Sequence, residues 1–319
     1  MAISAAEIPY WRPMLSKLSP FFTVWVDSAY AWIANARSTA PAFRIILFTI
    51  GRGRFIFVIM TFSIPVKQNE KLKQLVEYIQ ADVELNQLWK CANMNAVDRC
   101  GISDHGEIHI RIVANSALRI YRLLVEGGVV PSVVKNYGMT PEDGEVVVVA
   151  AACMHDLGIS VHRDSHERYS LWLAYPKARQ LLGRIYQEPH LTIMTSEVLH
   201  AIIAHDADER CLTIEAGAVK VADATDMSEG RSRIPFKAGQ VNIHSVSARA
   251  IDSVKIDKGE KLPVRITINM ANSAGIYQVD DLLRHKLKTS TILPYVEVMA
   301  RIATPGDTEK RLINDYTFD

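Results

Sequence analysis

Val146–Met154 reads VVVVAAACM and is followed at once by His155, Asp156, Leu157 and Gly158. Nine apolar residues in a row call for burial on all sides. The β-branched Val146–Val149 favour a strand, whereas Ala150–Ala152 favour a helix, and the pattern alone leaves both open. The residues after the run carry more information. A carboxylate at the end of a buried segment is costly unless it is paired or bound to a metal ion. His155 and Asp156 therefore stand out as chemistry rather than packing.

The remaining histidines gather around this pair. The chain has 10, and eight of them fall between His105 and His205: His105, His109, His155, His162, His166, His190, His200 and His205. Structural histidines scatter along a sequence, whereas these cluster. Two carboxylates one helical turn apart, Asp223 and Asp226, close the series. Neutral imidazole together with carboxylate suits a divalent transition ion such as Mn, Fe, Ni, Co or Zn. Neighbours on a helix diverge by about 100°, so His155 and Asp156 reach one ion only if it lies between them near the helix surface. Gly158 lets the chain leave close to such a site.

Periodicity places these residues on helices. Apolar positions at helical spacing predict helices over residues 68–88, about 105–125, 170–182, 195–205 and 215–226. Gly127, Gly128 and Pro131 supply stop signals after the second. Beyond about Phe236 the texture changes. Residues 243–254 read as a helix, 257–260 as a turn, 262–270 as an alternating strand, 278–287 as a helix and 295–303 as a strand.

The order His…His-Asp…Asp resembles the HD-domain phosphohydrolases. Four stretches carry the resemblance: His109–Ala117 (HIRIVANSA), Ala152–Gly158 (ACMHDLG), Ala201–His205 (AIIAH) and Val221–Asp226 (VADATD). It covers roughly residues 67–235 and implies a helical bundle, so that Val146–Met154 becomes a helix. It also implies that His109, His155, Asp156 and Asp223 hold a first metal ion. Some members bind two ions bridged by the motif aspartate. They include cyclic-di-GMP phosphodiesterases of the HD-GYP type, symmetrical dinucleoside tetraphosphate hydrolases and myo-inositol oxygenase. His166 and His205 match the extra histidines of two-metal members, while the Gly-Tyr-Pro element is absent, which argues against cyclic-di-GMP. His105 and His162 each lie one turn from an expected ligand and are the alternatives to His109 and His166.

The resemblance implies metal-assisted hydrolysis of a phosphoester or pyrophosphate in a small, nucleotide-like molecule. Asp156, His166, His205 and Asp226 are the expected catalytic groups, with Asp226 orienting a ligand. Lys220, Arg231 and Arg233, with Lys237 nearby, are the expected phosphate binders. Two other classes use the same residues: a di-iron oxygenase of the myo-inositol oxygenase type and a metal-stabilised regulator without activity.

Composition sets outer bounds. Apolar residues make up 49% and charged residues 22%, with a formal net charge of +1. That balance gives no general attraction to nucleic acid or anionic membranes. Cys91, Cys100, Cys153 and Cys211 form no C-x-x-C pair, consistent with a reduced cytoplasmic setting. The first 66 residues hold six basic residues (Arg12, Lys17, Arg37, Arg44, Arg52, Arg54) and two acidic ones (Glu7, Asp27). Their apolar runs Ile45–Ile50 and Phe55–Met60 are too short to span a bilayer. The expected organisation is a mainly α-helical HD-type bundle, 67–235, followed by a smaller α+β accessory domain, 236–319, with 1–66 as an N-terminal extension or an over-long start. The accessory domain is expected to shape access or to mediate self-association into a homo-oligomer.

Overall fold

The computed structural model describes residues 62–227 and 247–302, and the backbone of three further strands. Two compact units are present, residues 1–63 and 64–319. In the first, strands β1 (Arg44–Ile50) and β2 (Gly53–Ile59) pair antiparallel, with Thr49 opposite Arg54. Of the rest of the expected extension, residues 62–66 are described, with Phe62 and Ile64 buried, and the others lie outside the described residues.

The second unit begins with α1 (Glu70–Ala81) and α2 (Val83–Asn93). The sequence predicts one helix over 68–88, but the structure breaks it at Asp82. That residue is extended, and its carboxylate accepts from the Leu85 amide at 2.8 Å, starting a second helix. Then follow α3 (Glu107–Glu126), α4 (Ser132–Tyr137), α5 (Pro141–Met154), α6 (His166–Leu182), α7 (His190–Ile203) and α8 (Ile214–Thr225).

Helix α5 is the axis of the bundle, and it resolves the ambiguity of the valine run. Thr140 and Asp143 form a reciprocal cap, Pro141 occupies the first turn, and every residue from Val146 to Met154 is buried. Helices α1, α3, α4, α6, α7 and α8 pack around it. A helix that is apolar on every face is stable only in such a position. Each fully buried valine contributes roughly 1.5–3 kcal/mol, which exceeds the few tenths lost to β-branching.

The C-terminal part is a four-stranded sheet in the order β3 (Ile251–Lys258), β4 (Val264–Met270), β5 (Val296–Ile302), β6 (Asp315–Phe318). The first and last pairs are antiparallel and β4–β5 is parallel, with helical turns at Gln278–Arg284 and α9 (His285–Lys288) in the crossover. Of the helix expected over 243–254, residues 247–249 are helical, 251–254 are corrected by this sheet, and 243–246 lie outside the described residues. Ile251 is buried opposite Met270 and Val254 pairs with Ile268, because β-branched residues here gain a strand partner. Val264, Ile266 and Ile268 form one buried face with Val296, Val298 and Ala300 of β5. Strands β3 and β4 contact α3, and the crossover helices contact α8. Among the described residues, no helix is long and apolar enough to cross a membrane.

Candidate metal centre

Four segments that are distant in sequence converge beside the end of α5. His109 lies in the first turn of α3. The helix stops at Met154, and Asp156 has already left it at φ −102°, ψ 9°. This change of direction brings both side chains of the His-Asp pair to one point. His205 follows the end of α7, and Asp223 occupies the last turn of α8.

His166 opens α6 through an unusual joint. Ser165 before it is left-handed, at φ 58°, ψ 28°, a conformation costing a non-glycine residue about 1 kcal/mol. The His-Asp turn packs directly on this helix start. The Gly158 amide donates to Ser170 Oγ at 2.8 Å, and Ser170 Oγ donates to the His155 carbonyl at 2.5 Å. A Cβ at Gly158 would sit 2.0 Å from the His166 carbonyl oxygen, so only glycine permits this approach.

The two oxygens of Asp156 divide the histidines into pairs. Its Oδ2 lies 3.2 Å from His109 Nε2 and 3.3 Å from His155 Nε2. Its Oδ1 lies 3.1 Å from His166 Nε2 and 3.5 Å from His205 Nε2. Asp223 Oδ1 joins the first pair, 3.4 Å from His109 Nε2 and 3.8 Å from His155 Nε2.

Each histidine has its other nitrogen against an acceptor. His109 Nδ1 donates to Asp226 Oδ2 at 2.6 Å, His155 Nδ1 to the Ala152 carbonyl at 2.9 Å and His205 Nδ1 to the Ile202 carbonyl at 2.5 Å. His166 Nδ1 lies 3.1 Å from the Arg163 carbonyl and 3.1 Å from Glu167 Oε1. With Nδ1 carrying the hydrogen, Nε2 of His109, His155 and His205 is left as a lone pair, whereas His166 Nδ1 also lies 2.8 Å from Nη1 of Arg163, a group that can only donate. Two pairs of Nε2 atoms face each other, His109–His155 and His166–His205, both at 3.3 Å. In the first pair, opposed lone pairs beside carboxylates repel unless a cation lies between them. This donor set is compatible with a divalent metal.

Electrostatics point the same way. Burial alone would lower the His155 pKa, but Asp156 and Asp223 outweigh it and push it up to about 10. Burial would raise both aspartates, yet the surrounding cationic groups hold each well below the usual carboxylate range: His155 and its neighbours for Asp156, Lys286 and then the histidines for Asp223. The pocket is built for positive charge.

The alternatives to the ligands fall elsewhere. His105 Nδ1 pairs with the Ser103 carbonyl at 2.7 Å, although its ring lies 5.2 Å from that of His109. His162 is exposed and its Nδ1 accepts from the Asp164 amide. His200 Nε2 accepts from the Leu212 amide at 2.9 Å. Lys220, expected at the substrate, is fully buried, and its ammonium donates to the Glu209 carbonyl at 2.6 Å. Arg231, Arg233 and Lys237 lie outside the described residues. Among the described residues two cations reach the cluster: Arg163, whose Nη1 lies 2.8 Å from His166 Nδ1, and Lys286 of α9, 2.5 Å from Asp223 Oδ2. Nothing in the local sequence of Lys286 distinguishes it from Lys288.

The family description "HD domain" matches residues 107–228. The "Uncharacterized protein MJ1020" of Methanocaldococcus jannaschii is 40% identical over 245 residues, covering 77% of this chain and 93% of that protein. No solved structure matches the chain.

Proposed function

The chain belongs to the HD-domain family, a superfamily of metal-dependent hydrolases, and from that premise we propose that it hydrolyses a phosphoester or pyrophosphate bond in a small nucleotide-like molecule. The observation that carries this reading is the sharing of Asp156, whose two oxygens each meet a separate pair of inward-facing histidine nitrogens. His109, His155, Asp156 and Asp223 would hold a first ion, and His166, His205 and the other oxygen of Asp156 a second. The ions would supply Lewis acidity and lower the pKa of water at the centre toward about 7.

The protein's own groups divide the remaining work. Asp226 fixes the tautomer of His109, so that Nε2 remains a ligand through the reaction. The Ala152 and Ile202 carbonyls do the same for His155 and His205. Water adds to phosphorus, the ester or anhydride P–O bond breaks, and the proton of that water ends on the departing oxygen. In this reading residues 67–235 form the catalytic unit and 236–319 an accessory unit.

The same six ligands suit a di-iron oxygenase, which consumes molecular oxygen and releases no phosphate. A screen of purified protein loaded with Mn, Co, Ni or Mg against nucleotides, dinucleoside polyphosphates and bis(p-nitrophenyl) phosphate separates the two. Metal-dependent phosphate or nucleotide release is expected. Loaded protein inert toward the whole panel, but consuming oxygen with Fe(II), would overturn the hydrolase reading.

A further inference from the structure

Most of the cluster is sealed. The side chains of His109 and His155 are 0% exposed, and those of His205, Asp226, Asp156 and His166 are 3%, 4%, 5% and 7% exposed. Asp223 and Lys286 differ, at 14% and 15%. These two residues therefore form an exposed side of the centre among the described residues, as Glu167, 15% exposed and 3.1 Å from His166 Nδ1, does on the other histidine pair.

Lys286 does not arrive there on a loose tail. On one side of it His285 Nε2 meets Asp208 Oδ1 at 2.9 Å; on the other, Leu287 is buried in the core. Thr289 Oγ1 donates to the Ala207 carbonyl at 2.9 Å, and its own carbonyl accepts from the Cys211 amide at 3.0 Å. Each of these bonds ties α9 to the loop that follows His205. The ammonium is thus held at a set position beside the ligand cluster. It has three hydrogens, and among the described residues its hydrogen-bond partner is Asp223 Oδ2. A hydrated lysine side chain gives up considerable rotamer freedom to be fixed in this way. One carboxylate already shared with a metal site does not use its full donor capacity.

We infer that Lys286 is a catalytic residue that contacts the phosphoryl oxygens of the substrate at this exposed side of the centre, so that the C-terminal unit completes an active site whose metal ligands all come from the helical bundle. The inference rests on the hydrolase reading above and gives it a substrate class, a phosphate anion presented end-on to the metals. It also replaces Lys220 with a cation that geometry places beside Asp223.

The test uses binding rather than turnover. Full-length protein loaded with Mn(II) is titrated with inorganic phosphate by calorimetry, for the natural chain and for Lys286→Met, Lys286→Gln, Lys286→Arg and Lys288→Met, with metal content measured on each sample. Expected are a loss of phosphate affinity of at least about 10-fold in Lys286→Met and Lys286→Gln at unchanged metal content, retention within about threefold in Lys286→Arg, and no effect of Lys288→Met; one bidentate or charge-assisted contact is of this size. Equal phosphate affinity in the natural chain and the Met and Gln variants would overturn the assignment while leaving the hydrolase reading intact. Loss of metal together with phosphate would also overturn it, making Lys286 a positioning residue for Asp223. Failure of the natural, metal-loaded chain to bind phosphate would overturn both readings.

Discussion

Asp226 Oδ2 lies 2.6 Å from Nδ1 of His109, although the two residues are 117 positions apart in the chain. This contact decides which nitrogen of His109 is available to a metal. Removing such a partner typically costs 10–100-fold in metal affinity. Asp226→Ala is therefore expected to weaken Mn(II) binding by about that factor, and Asp226→Asn, which keeps an acceptor but loses the charge, by less. Competition with a chromophoric chelator measures both. Natural affinity in Asp226→Ala would remove the orienting role.

The division of Asp156 between two histidine pairs sets the metal count. Asp156→Ala should abolish metal binding and activity together. His166→Ala and His205→Ala should each lower the stoichiometry from about two ions to about one, since both Nε2 atoms face Asp156 Oδ1. Elemental analysis after gel filtration reads this directly. A count of one in the natural protein, unchanged in both variants while activity falls, would assign these histidines to acid–base work instead.

Gly158 tests how the two halves of the centre are held in register. Its absent Cβ leaves room for the His166 carbonyl and the Ser170 amide, at 2.0 and 2.5 Å from where that atom would stand. Gly158→Ala is expected to cost about 1–3 kcal/mol of stability, as overpacking against backbone does. Because His166 must move with its helix, loss of one metal equivalent should accompany the lower Tm. A folded variant with normal stability and two metals would show that the turn relaxes freely.

Glu197 gives a pH test away from the centre. Its Oε2 is buried with no hydrogen-bond partner among the described residues. Burial first, and the nearby Glu215 second, raise its pKa above the ordinary 4.5, against a lowering bond from Tyr137. A carboxyl group whose folded pKa exceeds its unfolded value costs nothing below the unfolded value. It destabilises progressively as pH rises from there through the folded pKa. Glu197→Gln should therefore raise Tm at pH 7–8 and leave it unchanged near pH 4. An equal shift at both pH values would mean that packing, not ionisation, is responsible.

Strands β1 and β2 form a two-stranded sheet separate from the C-terminal one. We expect a chain beginning at Met60 to keep its helical circular dichroism, metal content and activity. Aggregation or loss of metal in that shortened chain would assign residues 1–59 a structural role.

Much of the bundle is legible in the sequence, because a helix that buries one face repeats apolar residues with its own period. The periodicity at 108–125 and 215–226 marks α3 and α8 for this reason, and the crowding of histidines around His155 and Asp156 marks the centre. Local signals end where a partner comes from far away. The valine run is a helix only because other helices surround it. Residues 251–254 are a strand only because β4 lies beside them. Lys220 and Lys286 are both lysines in helical segments, and nothing nearby says that one is sealed against the Glu209 carbonyl while the other meets Asp223 across 63 residues. Periodicity records which face of an element is buried. Only the packed structure decides which group stands opposite, and the chemistry of this centre is made of such oppositions: Asp226 against His109, two histidine pairs against the two oxygens of Asp156, and Lys286 against Asp223.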